Sequence, residues 1–149
     1  MLEPGRRLVG NAGLLLTRIE YLKQGEAKNF AIIDAAMNDL MRPALYEAWH
    51  DINPVVPRAG AATEYDVVGP VCETGDTFAV GRVLPECRAG DLLAIRCTGA
   101  YGASMSSTYN SRPLAAEVLV DAGRYAVVRR RQSFEEMIMG EQAATSWRN

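Results

Sequence analysis

The feature that most constrains the fold is a series of short apolar or alternating segments separated by turn residues. Gly90-Asp91 and Asp121-Ala122-Gly123 are typical turn sequences within this series. The segments that read as strands are Tyr65–Val68, Phe78–Val80, Leu92–Ile95, Ala116–Val120 and Tyr125–Val128. Short strands at this spacing predict a mainly β protein, built as an antiparallel sandwich or barrel.

The remaining segments add a hairpin and short helices. Residues 14–22 and 29–34 read as two strands joined by a polar turn at 23–28. Good helix formers follow Pro43, at a place where a first helical turn tolerates proline. Ser133-Phe134-Glu135-Glu136 is a capping box that opens a final short helix, which Gly140 could close. We expect two or three short helices in all, and an irregular connection over residues 51–62.

Charge and hydropathy argue against two classes of partner. Sixteen basic and eighteen acidic side chains give a net charge of -2, without the basic field that nucleic-acid binding needs. No apolar run approaches the roughly 20 residues that cross a bilayer, and Met1–Arg6 lacks the apolar core of a secretory signal. We therefore expect a cytoplasmic protein that binds neither nucleic acid nor membrane.

Few residues are available for histidine, thiol or amine chemistry. His50 is the only histidine, and we expect it at the surface or at a helix end. The three cysteines form no C-x-x-C pair, which favours reduced thiols and no metal site. Lys23 and Lys28 are the only lysines, and both fall in the polar turn of the predicted hairpin, where a solvated loop is the simplest interpretation. The run Arg129–Arg131 reads as the solvated end of the last strand.

Two segments have the chemistry to bind anions. In Glu3-Pro4-Gly5-Arg6, Gly5 permits close approach of the backbone and Arg6 offers a fork of donors for phosphate or carboxylate. An ordinary turn at the entry to a strand is the alternative. Arg42 and Tyr46 lie four residues apart, so on one helix face they could grip a carboxylate. The alternative is a helix face that pairs with Glu47 or with solvent.

Two further segments could carry proton transfer and ligand contact. Cys72 and Glu73 are neighbours in a turn, and a cysteine thiol can donate a proton because its usual pKa of about 8.5 lies near operating pH. A buried structural cysteine is the alternative for Cys72, and it is our interpretation of Cys87 and Cys97. Tyr101 lies between Gly99 and Gly102, where its phenol could donate to a ligand or simply cover the core.

Taken in order, four segments resemble those of the diaminopimelate decarboxylases, in the fold type that includes ornithine decarboxylase and alanine racemase. The segments are Glu3–Arg6, Asn38–Tyr46, Gly69–Asp76 and Gly99–Gly102, and the similarity runs from Leu2 to about Glu141. The resemblance implies pyridoxal 5'-phosphate as cofactor, a homodimer whose active site is shared between subunits, and conversion of meso-2,6-diaminopimelate to L-lysine and carbon dioxide. The chain looks like the C-terminal β-domain, with the alanine racemase type of barrel or sandwich.

The same resemblance implies roles for single residues. Glu3, Pro4, Gly5 and Arg6 would lie at the cofactor, with Arg6 also reaching the substrate. Tyr101 would contact cofactor and substrate.

The substrate's distal end would be read by other residues. Arg42 and Tyr46 would hold the distal carboxylate, and Glu73 would pair with the distal ammonium. Cys72 would protonate the carbon from which carbon dioxide has left.

The resemblance also predicts how the chain is divided. Residues 1–10 would be the end of a cofactor-binding barrel, 11–142 the β-domain and 143–149 a flexible tail. The lysine that binds the cofactor covalently would belong to the barrel, upstream of Glu3, so this chain alone should not decarboxylate anything. The alternatives are the β-domain of another pyridoxal-dependent amino-acid decarboxylase and a non-catalytic module for dimerisation or regulation.

Overall fold

Regular structure in the computed structural model consists largely of β-strands, and the model describes Met1, residues 4–145 and Trp147. Contacts divide the chain into two units, residues 1–106 and residues 107–149. The strands are β1 (Leu14–Gln24), β2 (Asn29–Ile33), β3 (Ile52–Pro54), β4 (Thr63–Val68), β5 (Thr77–Leu84), β6 (Leu92–Arg96), β7 (Glu117–Asp121) and β8 (Arg124–Arg129). The α-helices are α1 (Arg42–Tyr46) and α2 (Phe134–Met137), and 3-10 turns cover Gly10–Ala12, Ala103–Met105 and Tyr109–Ser111.

The first unit is built on one six-stranded sheet in the order β3-β6-β1-β2-β4-β5. Four of its strand pairs are antiparallel, but β2 and β4 run parallel, with Phe30, Ala31 and Ile32 opposite Asp66, Val67 and Val68. The predicted mainly β fold with short helices is confirmed. The predicted antiparallel pairing is confirmed for most of the sheet. The exception is the parallel β2–β4 pair, where the 29 residues between the strands include α1 and β3 and allow a crossover.

The core of this unit lies against one face of the sheet. Alternate residues of each strand point to it, so strands of mixed hydropathy bury only part of their side chains. Seven large apolar side chains of the core are at most 1% exposed: Ile19, Ile33, Leu40, Val67, Leu84, Leu93 and Ile95. Burial of such a side chain stabilises a fold by about 1.5–3 kcal/mol, so these positions fix the arrangement of β1, β2, β4 and β6.

The predicted hairpin is present as β1 and β2, and its lysines are less alike than expected. Lys23 lies within β1 and is exposed, whereas the Lys28 ammonium lies 2.8 Å from the Asp66 carboxylate. Asp66 also accepts a hydrogen bond from the Gly81 amide at 2.8 Å. These two donors lower the pKa of Asp66, the Lys28 bond being the larger cause. Lys28 therefore ties the hairpin turn to β4 instead of only facing solvent.

The connection between α1 and β4 contains a strand that was not predicted. Residues 51–62 read as irregular, yet β3 pairs antiparallel with β6, with Ile52 opposite Ile95. Pro54 has no N–H to donate, but an edge strand tolerates proline because one row of its backbone groups faces away from the sheet. His50 precedes this strand and is 3% exposed, so its predicted surface position was wrong.

The second unit contains the β7–β8 hairpin and α2. Ala122 and Gly123 both have positive φ (45° and 80°), as the tight turn between paired strands requires. The capping box at Ser133 and Glu136 is confirmed, although α2 ends at Met137, before Gly140. Arg129 pairs with Glu117 at 2.9 Å and Arg130 pairs with Glu136, so the arginine run is not simply solvated. Among the described residues, no helix has the length and apolar character of a membrane span.

Candidate active site

Backbone segments that carry two of the predicted motifs meet at glycines. A Cβ at Gly99 would overlap the Val9 carbonyl and lie 2.7 Å from the Gly13 amide. The Gly99 amide donates to the Gly10 carbonyl at 3.1 Å and the Thr98 amide to the Gly13 carbonyl at 3.0 Å. Only glycine allows the two backbones to come this close. The contact holds the N-terminal turn against the loop that follows β6.

Tyr101 links this contact to the N-terminal motif. A Cβ placed on Gly5 would lie 2.7 Å from the Tyr101 hydroxyl oxygen, so the phenol occupies the space beside Gly5. Tyr101 is 43% exposed and has φ of 59°, in the left-handed region that non-glycine residues rarely adopt. Such a conformation costs on the order of 1 kcal/mol or more and is often found where a side chain is aimed at a ligand.

A guanidinium lies between two aromatic rings at this place. The Arg42 Cζ atom is 5.5 Å from the ring centroid of Tyr46 and 5.7 Å from that of Tyr101. Both distances allow cation–π attraction, which is worth about 0.5–2 kcal/mol per pair. The predicted pairing of Arg42 with Tyr46 on one helix face is confirmed, since both belong to α1. We call Gly5, Arg42, Tyr46 and Tyr101 the arginine–tyrosine cluster.

The Arg42 Nε atom is buried and has no hydrogen-bond partner among the described residues. A buried donor without an acceptor costs about 1–3 kcal/mol, more when it is charged. Carboxylate and phosphate oxygens are the acceptors that match a guanidinium fork. The cluster thus has the chemistry of an anion site, with phenols at its sides.

Cys72 and Glu73 lie elsewhere, on the exposed turn between β4 and β5. The turn is closed by backbone hydrogen bonds, from the Glu73 amide to the Val71 carbonyl (2.8 Å) and from the Asp76 amide to the Glu73 carbonyl (3.0 Å). Asp76, at the end of this turn, is 2% exposed. An exposed thiol beside a carboxylate can approach a ligand that comes from outside this chain.

A cleft of about 720 Å³ lies next to the N-terminal turn. Its lining residues are Gly5, Arg6, Arg7, Asn11, Trp49, His50 and Cys97. The His50 Nδ1 atom is 2.9 Å from the Arg96 carbonyl and donates to it, while its buried Nε2 atom has no hydrogen-bond partner in the part of the chain that the structure describes. Cys97 donates to the Asn11 side chain at 3.3 Å and is half-buried, not buried as predicted. Cys87 is buried, and burial raises its pKa.

Arg82 of β5 holds the segment that follows α1. Its guanidinium carbon lies 3.7 Å from the ring centroid of Trp49, and Nη1 donates to the His50 carbonyl at 2.9 Å. Burial lowers the pKa of Arg82, an effect that the nearby charge of Asp51 opposes. The Trp49-His50 segment therefore has a fixed place between β5 and β6.

The predicted site residues fall into three places. Gly5, Arg42, Tyr46 and Tyr101 form the arginine–tyrosine cluster, while Arg6 is exposed and lines the cleft. Cys72 and Glu73 occupy the β4–β5 turn. Pro4 is exposed, and Glu3 lies outside the described residues.

Sequence reasoning missed His50, Arg82 and Asp76 as organising residues. No local signal existed for any of the three, because their partners include backbone atoms that are distant in sequence.

The chain belongs to the family described as pyridoxal-dependent decarboxylase, C-terminal sheet domain, whose model matches residues 8–99. It is 57% identical over 143 residues to the diaminopimelate decarboxylase of Neisseria meningitidis serogroup A, covering 96% of this chain and 35% of the relative. It is 60% identical over 139 residues to that of Pseudomonas aeruginosa, covering 93% of this chain and 33% of the relative. The chain therefore spans about a third of the length of the relatives it matches.

Solved structures agree with this membership. Diaminopimelate decarboxylase from M. jannaschii, in co-complex with L-lysine, superposes with a TM-score of 0.91 at 37% identity, over 95% of this chain and 32% of that one. The lysine/ornithine decarboxylase of Vibrio vulnificus, at 22% identity and a TM-score of 0.68, shares the fold.

Proposed function

We propose that this chain provides the β-domain half of a composite active site in a diaminopimelate decarboxylase. In the complete enzyme it would help convert meso-2,6-diaminopimelate to L-lysine and carbon dioxide. The single observation that carries the proposal is the arginine–tyrosine cluster, in which the buried Arg42 Nε has no acceptor among the described residues and the guanidinium lies near two phenol rings. A distal carboxylate is the group that this donor set would bind.

The substrate class follows from the charges of the predicted residues. Arg6 and Arg42 suit a carboxylate, and Glu73 suits an ammonium, so the pair of sites matches a substrate with both groups at its distal end. A simple diamine or ornithine lacks the distal carboxylate and would leave Arg42 without a partner. The L-lysine complex of the M. jannaschii relative is consistent with an amino-acid ligand of this size.

The residues also fit the cofactor as one wall of its site. The family is pyridoxal-dependent, and pyridoxal phosphate supplies an electron-withdrawing ring that accepts the electrons of the broken carbon–carbon bond. Gly5 and the Tyr101 hydroxyl would hold it, since a side chain at Gly5 would fill the space beside that hydroxyl. Glu3, Pro4 and Arg6 would complete this wall.

No lysine of this chain is placed to bind the cofactor covalently. Lys23 is exposed at the end of β1, and Lys28 pairs with Asp66 at 2.8 Å. Neither amine is buried, since the Lys28 side chain is 57% exposed, so neither has the enclosed setting of a lysine that bonds covalently to a cofactor. We propose that the chain alone is inactive and that the covalent lysine comes from a preceding barrel.

Cys72 and Glu73 would act across a homodimer interface. They lie on an exposed turn between β4 and β5, where another subunit can reach them. In this arrangement Cys72 donates a proton to the substrate carbon and Glu73 pairs with the distal ammonium. We further propose that the enzyme works in the cytoplasm, where reduced thiols such as Cys72 persist.

The test is to supply what this chain does not contain. We define the chimeric enzyme as this chain fused behind the part of the Neisseria meningitidis relative that its match leaves uncovered. With pyridoxal phosphate and meso-2,6-diaminopimelate, the chimeric enzyme should release carbon dioxide and L-lysine, while the chain alone should release neither. Arg42→Met should raise KM for diaminopimelate by about tenfold or more, because a charge-assisted bidentate contact is lost.

The controls decide between the alternatives. Faster turnover of ornithine than of diaminopimelate would favour another decarboxylase of the family. No turnover of any amino acid by a folded, cofactor-loaded chimeric enzyme would favour a non-catalytic module. Turnover by the 149-residue chain alone would refute the composite site.

A further inference from the structure

The buried carboxylate of Asp76 contacts two segments that carry different predicted functions. Its Oδ2 atom accepts a hydrogen bond from the Val71 amide at 2.8 Å, within the turn that holds Cys72 and Glu73. Its Oδ1 atom accepts one from the Met37 amide at 2.7 Å, in the loop that leads to α1. These are short bonds to a charged acceptor, the stronger class of protein hydrogen bond.

The space around Asp76 is built for this carboxylate. A Cβ on Gly69 would overlap the carboxylate atoms, so glycine is required there. The backbone of the same two residues is joined as well, because the Gly69 amide donates to the Asp76 carbonyl at 2.9 Å. Asp76 is 2% exposed, and a charge buried to this degree is costly unless it is hydrogen-bonded.

The loop on the other side of Asp76 is a tight turn with a short path to Arg42. The Asp39 amide donates to the Ala36 carbonyl at 2.8 Å, and the Ala36 amide donates to the Asp39 side chain at 3.0 Å. Leu40, at 1% exposure, anchors the end of this loop in the core, two residues before Arg42. The Met37 amide thus belongs to a rigid segment from which α1 begins.

We propose that Asp76 is a positioning residue, which fixes the Cys72-Glu73 turn relative to the loop that carries Arg42. It touches neither substrate nor cofactor. Its carboxylate acts through the Val71 and Met37 amides, which hold the predicted proton donor and the predicted carboxylate-binding residue in a constant geometry within one subunit. The catalytic consequence rests on the proposed function, whereas the geometric consequence does not.

The first test measures geometry in the 149-residue chain. In Asp76→Asn one oxygen is replaced by an NH2 group, which cannot accept a bond and opposes a backbone N–H. Amide hydrogen exchange followed by NMR should become about tenfold faster or more at Met37 and Val71. Gly69→Ala, which displaces the carboxylate and keeps its charge, should accelerate the same two amides.

Asp66→Asn is the matched control. Asp66 is also a buried aspartate that accepts a backbone bond, from Gly81, but it lies on β4 and pairs with Lys28. This variant should lower the midpoint of thermal unfolding. Exchange at the Met37 and Val71 amides should not increase by more than exchange at the amides of the sheet. Equal acceleration at both amides in Asp66→Asn would overturn the positioning role.

The second test measures catalysis in the chimeric enzyme. A misplacement of about 1 Å can cost 100-fold in rate, so Asp76→Asn should lower kcat by about that factor, while Asp66→Asn should stay within about twofold of the unsubstituted enzyme. A folded Asp76→Asn enzyme with unchanged kcat would overturn the proposal. If the unsubstituted chimeric enzyme were inactive, the proposed function would be refuted instead. The hydrogen-exchange test would still decide the role of Asp76.

Discussion

Cys72 differs from the other two cysteines in its surroundings. It is exposed on the β4–β5 turn, whereas Cys87 is buried and has a raised pKa because of that burial. Cys97 is half-buried and donates to Asn11. A thiol that gives a proton to a substrate must be reachable and able to ionise, and exposure on this turn meets the first condition.

Replacing this thiol should slow turnover without weakening binding. In the chimeric enzyme Cys72→Ala should lower kcat for diaminopimelate by about 100-fold or more, because positioned general acids contribute about 10²–10⁴-fold. KM should change little, since the thiol is not proposed to hold the ground state. Steady-state kinetics with carbon dioxide release as the readout checks this.

Cys87→Ala is the control for the cysteine substitution. It removes a buried thiol from the core and should lower stability while leaving kcat unchanged. If Cys72→Ala raised KM and spared kcat, Cys72 would have a binding or packing role instead.

Asp66 gives a prediction about pH at the same scale. Lys28, and to a smaller extent the Gly81 amide, lower the pKa of Asp66 in the folded chain relative to the usual 3.8. A depressed carboxylate pKa contributes stability above the unfolded value, and this contribution is lost as pH falls through the folded value. Because Lys28 is 57% exposed, its half of the pair is screened by solvent.

The free energy of unfolding should therefore fall by about 1 kcal/mol in Asp66→Asn at pH 7, and this difference should shrink below about pH 4. Urea denaturation of the chain and of the variant, at pH 7 and below about pH 4, measures this difference in the free energy of unfolding. Glu86→Gln removes an exposed ion pair with Arg88 and should change stability by less than about 0.5 kcal/mol. If the difference for Asp66→Asn instead grew in acid, the carboxylate of Asp66 would not be stabilised by folding.

Among the elements, those set by local pattern were predicted and those set by distant partners were not. Alternating hydropathy and turn residues located β1, β2, β4, β5, β6, β7 and β8, because side-chain direction in a strand depends on neighbours in sequence. The strand β3 was missed because Pro54 weakens its local signal and its stability comes from pairing with β6.

The candidate site shows the same division between local and distant causes. Spacing placed Arg42 beside Tyr46, since one helical turn separates them. The approach of Tyr101 to Gly5 depends on backbone contacts between residues 9–13 and 98–99, for which composition gives no signal. Motif resemblance named Cys72, and the structure adds the carboxylate of Asp76 beneath its turn.

At the scale of the whole molecule, the described residues form one well-formed core. The buried apolar residues that pack together all lie between Ile19 and Ile95, within the unit of residues 1–106. In the other unit none of the described residues is buried, and β7 and β8 expose apolar side chains that range from Val118 at 50% to Tyr125 at 78%. An isolated two-stranded hairpin is marginally stable in water.

These facts predict different stabilities for the two units. A fragment of residues 1–106 should unfold cooperatively by circular dichroism, because it keeps the complete sheet from β3 to β5 and every buried core residue. A fragment of residues 107–149 should show no cooperative transition, because capping and the hairpin turn supply only about 1 kcal/mol each without a core. Absence of a cooperative transition in residues 1–106 would contradict this prediction. Since the arginine–tyrosine cluster and the Cys72-Glu73 turn both lie before residue 107, the fragment of residues 1–106 should also keep the Asp76 protection of the Met37 and Val71 amides.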